Sequence, residues 1–244
     1  EIEEDMAQSS PMLRLLQGDV GSGKTVVATI AMMNACVDGF QSAFMAPTEL
    51  LASQHATTIS SILPKILQDK VVFLSGGMSK KQKEIARKAI ESGDGKIIIG
   101  THALIQESVT FERLGLVVID EQHRFGVSQR QMLSLKSGDV PPHTLIMTAT
   151  PIPRTLALTV YGDLDVSVIR ELPKGRATIV TRATGESKRR EVMEFLRQKL
   201  REGGQAYIIY PLVEESEKID LKDAQTGFDN LSRSLPDFRI GLLH

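Results

Sequence analysis

Tryptophan is absent, and aromatic residues make up only 5% of the 244-residue chain. That scarcity argues against a nucleic-acid surface built mainly on stacked bases, which needs a series of aromatic platforms. Cysteine is almost missing too. The single thiol, Cys36, excludes a disulfide framework within the chain and suits a reducing compartment, so a cytoplasmic protein is expected. Neither sign of charge dominates: 29 lysines and arginines stand against 30 aspartates and glutamates, a formal net charge of -1. A global polyelectrolyte attraction is thereby excluded, and any nucleic-acid surface must be local. Long apolar runs are lacking as well. The longest, 26–37, is interrupted by Thr29 and Asn34 and falls short of the roughly 20 residues that span a membrane. The opening Glu1-Ile2-Glu3-Glu4-Asp5 is the opposite of a secretory signal, and no membrane partner is expected.

What is present reads as a folded protein, with 41% hydrophobic and 24% charged residues. Short apolar runs at 12–16, 42–46, 71–74, 96–99, 116–119 and 144–147 alternate with segments of helical period at 24–37, 49–62, 79–90 and 128–135. Repeated strand-helix units of this length predict an α/β fold, a mainly parallel sheet covered by helices. Another helix is expected after Pro151 and Pro153, and Leu172-Pro173-Lys174-Gly175-Arg176 punctuates the chain. The domain boundary is placed there, giving 1–174 and 175–244. The second part restarts with strands at 178–181, 206–210 and 239–243 and a helix at 188–201, while the polar stretch 213–235 is expected to be a mobile insertion with at most one short helix. Both ends suggest a piece of something longer.

The strongest motif is Gly18-Asp19-Val20-Gly21-Ser22-Gly23-Lys24-Thr25, a G-x-x-x-x-G-K-[ST] phosphate loop between a predicted strand and a predicted helix. Backbone N–H groups turned toward one point, with the positive end of the helix dipole, make an anion cradle that requires glycine for close approach. Lys24 can reach the β- and γ-phosphates, and the Thr25 hydroxyl can ligate Mg²⁺. Leu116-Val117-Val118-Ile119 ends in Asp120-Glu121, where an apolar strand delivers two carboxylates. Asp120 is expected to hold Mg²⁺ and Glu121 to polarise the attacking water. These residues make an NTPase and no more, because kinases, switches and motors share them.

The remaining motifs narrow the choice. Asp120-Glu121-Gln122-His123 resembles a DExH box, and Thr148-Ala149-Thr150-Pro151 resembles the third motif of superfamily 2 helicases. Ala46-Pro47-Thr48-Glu49-Leu50-Leu51-Ala52 is similar to motif Ia and Gly100-Thr101-His102 to motif Ib. The runs 15–25, 120–126, 150–155 and 210–217 resemble the RecG family of branched-DNA helicases, over nearly the whole chain. The transcription-repair coupling translocases are the near relative, tending to carry Glu at the position of Gln122.

The resemblance implies a RecA-like first motor domain followed by an incomplete second RecA-like lobe, an ATP and Mg²⁺ requirement, and translocation on forks and junctions in the bacterial cytosol. It implies backbone contacts to DNA by Thr48, Thr101 and Gly77, for which ordinary capping and turn formation are the alternative. It also implies that Gln122, His123 and the Thr148-Ala149-Thr150 turn relay hydrolysis to movement. The family's wedge domain, adenine-recognising glutamine motif and motifs V and VI would lie outside this stretch, and the parent protein is the expected partner. The rival readings are a coupling translocase and a nucleotide-binding switch with a protein readout.

Overall fold

A computed structural model describes residues 1–121, 141–150, 164–171, 179–209 and 217–242, the side chains of 217–224 excepted. It forms two units, Glu1–Arg176 and Ala177–His244. Gln122, His123, the expected helix at 128–135, the expected helix after Pro153 and the punctuating segment at 172–176 lie outside the described residues.

The first unit opens with α1 (Ile2–Met6) and continues through β1 (Leu13–Gly18), α2 (Lys24–Val37), β2 (Gln41–Met45), α3 (Glu49–Ile62) and α4 (Lys65–Gln68). Then come β3 (Val71–Leu74), α5 (Lys80–Glu91), β4 (Ile97–Gly100), a 3-10 turn at His102–Ile105, β5 (Leu114–Asp120), β6 (His143–Thr148) and β7 (Asp165–Ile169). The seven strands lie in the order β3-β4-β2-β5-β6-β1-β7, and each adjacent pair is parallel. This is the parallel α/β architecture expected from the alternating runs.

A sheet covered on both faces must be apolar in both directions. Phe44, Ile97, Ile99, Leu116 and Val118 join Met32 and Ala35 of α2 and Ala52 and Ile59 of α3 in one core. Their strand neighbours Met45, Ile98, Val117 and Ile119 join Ala86 and Ile90 of α5 in the other. Full burial of side chains such as Phe44 and Ile98 stabilises the sheet by about 2 kcal/mol each. The buried Gln41 side chain is satisfied throughout: its amide donates to the carbonyls of Ile90 and Gly95, at 2.8 and 2.7 Å, and its oxygen accepts from Arg113 N–H at 3.1 Å.

Helix starts follow local chemistry. Thr48 caps α3 by accepting Leu51 N–H, and Ser79 forms a reciprocal capping box with Gln82 at the start of α5. At the entry to β1, Nδ1 of His143 accepts Met12 N–H at 3.0 Å, and burial holds this imidazole below its ordinary pKa despite the nearby Asp5 charge.

Strand β7 was not among the sequence expectations. Its buried position is the polar Ser167, while Val168 is exposed, so the apolar alternation that announces a half-buried strand is inverted. Ser167 faces inward because Arg14 of β1 donates to its hydroxyl at 2.8 Å, beside the ion pair between Arg14 and Asp5.

In the second unit, α6 (Arg189–Arg201) matches the expected helix, and Arg190 and Lys199 pair with Glu194 and Glu202 along its own surface. The stretch expected to be a mobile insertion is corrected: it contains α7 (Glu217–Ser234), an 18-residue helix. Its polar composition hides a stripe at Leu221, Ala224, Phe228, Leu231 and Leu235, spaced three and four residues apart. The segments expected as strands, where described, are unpaired: 179–181, 206–209 and 239–242 carry no ladder, and Tyr207 and Ile209 are exposed. An isolated strand leaves its backbone polar groups to water and gains nothing by extending. Among the described residues, no helix is long and apolar enough to cross a membrane.

Candidate functional site

The strand order determines which loops meet. β5, β6 and β1 are neighbours, with Asp120 opposite Met147 and Gln17 opposite Thr148. Their carboxyl ends therefore bring Asp120-Glu121, the Thr148-Ala149-Thr150 turn and the loop from Gly18 side by side, at the edge where open parallel sheets bind ligands.

The loop between β1 and α2 has the backbone of an anion cradle. Gly21 and Gly23 take φ of 79° and 99°, and Gly23 begins α2 without a side-chain cap. A Cβ on Gly18 would sit 2.5 Å from Ser22 Oγ and 3.1 Å from Ile169 Cβ, so any larger residue there would displace the Ser22 side chain. Ser22 Oγ itself is buried and, among the described residues, has no hydrogen-bond partner. An orphaned hydroxyl beside an uncapped helix start fits a phosphate, which offers acceptors to both. The Lys24 ammonium folds back onto the loop, donating to the carbonyls of Gly18 at 2.7 Å and Asp19 at 2.9 Å. Transfer to a phosphate exchanges two neutral acceptors for an anionic one. Asp19 turns its own carboxylate onto Val20 N–H at 2.7 Å, and Val20 is largely exposed. Thr25 opens α2 one residue after Lys24.

Across from the loop, Asp120 is buried at the end of β5. Its Oδ2 lies 2.8 Å from Nε2 of His55 on α3. Among the described residues no group of three or more His, Cys, Asp and Glu forms a metal cage. The Asp120 carboxylate and the Thr25 hydroxyl are hard oxygen donors of the kind Mg²⁺ takes together with phosphate oxygens and water. Glu121 continues the ladder, donating its N–H to Met147 carbonyl at 3.1 Å, and has φ of 51°. Among the described residues it is the only non-glycine in the left-handed region, a conformation that costs about 1 kcal/mol or more and concentrates at functional positions. Thr148 is buried, and its Oγ1 meets both the hydroxyl of Thr150 at 3.0 Å and Thr150 N–H at 3.2 Å, so the turn through Ala149 is locked internally.

The residues expected to meet DNA lie farther along the same edge, after β2, β3 and β4. Thr48 is exposed, with its oxygen accepting Leu51 N–H at 3.3 Å. Thr101 precedes the 3-10 turn and makes no side-chain cap. Gly77 donates its N–H to a Glu49 carboxylate oxygen at 3.1 Å. Sequence reasoning missed Glu49 and His55. The available signal for His55 was a histidine within the sheet-facing stripe Leu51, Ala52, Ala56 and Ile59 of α3, all of them partly or fully buried.

Comparisons with known proteins place this geometry. The DEAD/DEAH box helicase family model matches residues 4–159. The chain is 48% identical to the ATP-dependent DNA helicase RecG of Aquifex aeolicus over 244 residues, all of this chain and 31% of that protein. It is 48% identical to RecG of Escherichia coli K12, again over all of this chain and 36% of the relative. It thus spans about a third of the length of these curated relatives. A solved structure of RecG bound to a three-way DNA junction is 44% identical, with a TM-score of 0.79 over 96% of this chain and 30% of that one. The Hef helicase domain of Pyrococcus furiosus, 19% identical with a TM-score of 0.53 over 98% of this chain and 53% of that one, shares the fold alone. With its phosphate loop and acidic strand end on strands that flank β6 and the family match across most of the first unit, the chain belongs to the DEAD/DEAH box helicases.

Proposed function

We propose that this chain supplies the ATP-hydrolysing core of a RecG-type DNA helicase that acts on forks and junctions in recombination and repair. Residues 1–174 are the first RecA-like motor domain and 175–244 the N-terminal part of the second, with the rest of the longer parent as its partner. The reading places the protein in the bacterial cytosol with the chromosome. One observation carries it: the phosphate loop, Asp120-Glu121 and the locked Thr148-Thr150 turn share the ends of three adjacent parallel strands. The similarity to RecG over the full chain supports the choice of DNA over a protein readout.

Mg-ATP supplies the phosphoryl group that water attacks. The N–H groups of 21–25 and the amino end of α2 bind its phosphates, and Lys24 leaves the Gly18 and Asp19 carbonyls to follow the β/γ oxygens. Thr25 and Asp120 would hold Mg²⁺, which would offset the negative charge on the phosphate oxygens. Glu121, with its left-handed backbone at the strand end, orients the water and takes its proton. Gln122, His123 and the Thr148-Ala149-Thr150 turn pass the change at the γ position onward. Thr48, Thr101 and Gly77 meet the DNA backbone, which carries no sequence code.

The test is steady-state ATP turnover of the purified parent protein with and without a synthetic three-way junction. Strong stimulation by the junction is expected. Turnover indifferent to any DNA overturns the motor reading in favour of a switch.

A further inference from the structure

His55 has no part in the functions assigned above, yet it is the hydrogen-bond partner that the described residues give the Asp120 carboxylate, at 2.8 Å. Both side chains are largely withdrawn from water, 16% and 12% exposed. A carboxylate oxygen has only lone pairs to offer, so Nε2 carries the proton between them. The ring is fixed from a second direction. Its centroid lies 4.6 Å from that of the fully buried Phe44 on β2, at 46°. Phe44 stands opposite Val118 on β5, so the strand that carries Asp120 also borders the residue that braces His55.

The consequence is geometric. Asp120 ends its strand, and His55 engages Oδ2 and leaves Oδ1 as the oxygen available for another contact. We propose that His55 is a positioning residue that fixes the Asp120 carboxylate in the orientation that receives the divalent cation of the nucleotide, with α3 as the arm that holds it. This rests on the reading of Asp120 as a metal-holding residue. Outer-shell partners of metal-holding carboxylates typically influence metal affinity by 10–100-fold. The helix that carries the histidine follows β2, the strand beside β5, and is capped by Thr48.

Two substitutions separate the hydrogen bond from the packing. His55→Phe keeps a ring against Phe44 and removes the donor; His55→Gln gives up the ring and restores an N–H at similar reach. His55→Leu is a second donor-free variant where Phe does not fold. The measurement is equilibrium binding of a fluorescent, non-hydrolysable ATP analogue, in excess EDTA and across a Mg²⁺ titration. In His55→Phe the affinity in EDTA should match wild type, and the Mg²⁺ concentration for half-maximal gain should rise about tenfold. His55→Gln should restore most of that loss. Equal Mg²⁺ dependence in wild type and the donor-free variants overturns the positioning role, as does equal loss in the Phe and Gln variants. If Mg²⁺ adds nothing to the affinity of the wild-type protein, the metal reading of Asp120 fails instead.

Discussion

Glu49 reaches across from the first turn of α3 to accept the backbone N–H of Gly77 at 3.1 Å, tying the loop after β3 to the helix after β2. A carboxylate thus occupies the N–H that is proposed above to meet the DNA backbone, with Lys83 anchored on the neighbouring Gly76 carbonyl at 2.6 Å.

A methyl group at Gly77 would lie 2.6 and 2.7 Å from the two Glu49 carboxylate oxygens. The exposed, flexible glutamate can swing aside, so Gly77→Ala should fold with a melting temperature close to wild type. The added methyl shields the N–H, and affinity for DNA should fall several-fold at every sequence alike. Filter binding on two unrelated junction sequences checks both the loss and its uniformity.

Lys24→Ala should lower ATP turnover by about 10²-fold or more, because the lost cation tracks charge that develops in the transition state. Stability should be preserved, since the ammonium's contacts are with carbonyls of its own loop. Turnover and thermal melting measured on one preparation separate the two.

Glu121 allows a sharper separation. Glu121→Gln should bind Mg-ATP and fail to hydrolyse it. Glu121→Gly should be equally inactive yet no less stable than wild type, because glycine accepts a φ of 51° at no steric cost. Chemical denaturation alongside ATP turnover checks the pair, and a clear destabilisation by glycine would assign Glu121 a structural role.

Thr48 and Thr101 should part company under the same substitution. Thr48→Ala removes the α3 cap and should cost about 1 kcal/mol of stability, whereas Thr101, which caps nothing, should tolerate Ala without loss. Both variants should bind DNA more weakly and with a shallower salt dependence. Denaturant midpoints and salt-titrated DNA binding are the two measurements.

His143 predicts a pH dependence of stability. Its folded pKa lies below the ordinary 6.5, burial being the main cause, and the ring must be neutral at Nδ1 to accept Met12 N–H. As pH falls through 6.5 the unfolded chain takes up the proton first. The contribution is therefore complete above that value and declines below it. Melting temperature should drop between about pH 7.5 and about pH 5.5, and less so in His143→Gln, whose amide oxygen accepts without titrating.

The strands that pack apolar on both faces were legible because Ala43–Ala46 and Leu116–Ile119 are unbroken apolar runs, and the phosphate loop located the helix that follows it. β7 was illegible because an inward serine satisfied by Arg14 replaces the apolar residue that periodicity seeks. α7 was hidden by its charge, which masks a narrow stripe. In the site, an acidic pair ending an apolar run drew attention to Asp120 and Glu121. The left-handed backbone of Glu121, the orphaned Ser22 hydroxyl and the reach of His55 depend on distances between segments far apart in sequence, which no local pattern encodes.

The position of β1 in the sheet also has a kinetic side. Its two neighbours are β6 and β7, and the hydrogen bond from Met12 to His143 closes a span of 131 residues. Strands β2 to β5 can pair among themselves with much shorter closures, so loop entropy favours their assembly before β1 is captured. On a ribosome, where synthesis runs from the amino end, the nucleotide loop is made before strands β2 to β7 of its own sheet yet is among the last parts of that sheet to be held in shape. Competence to bind nucleotide is thus a late event in the life of the nascent chain, reached only when the strand after Pro142 has slotted in beside it.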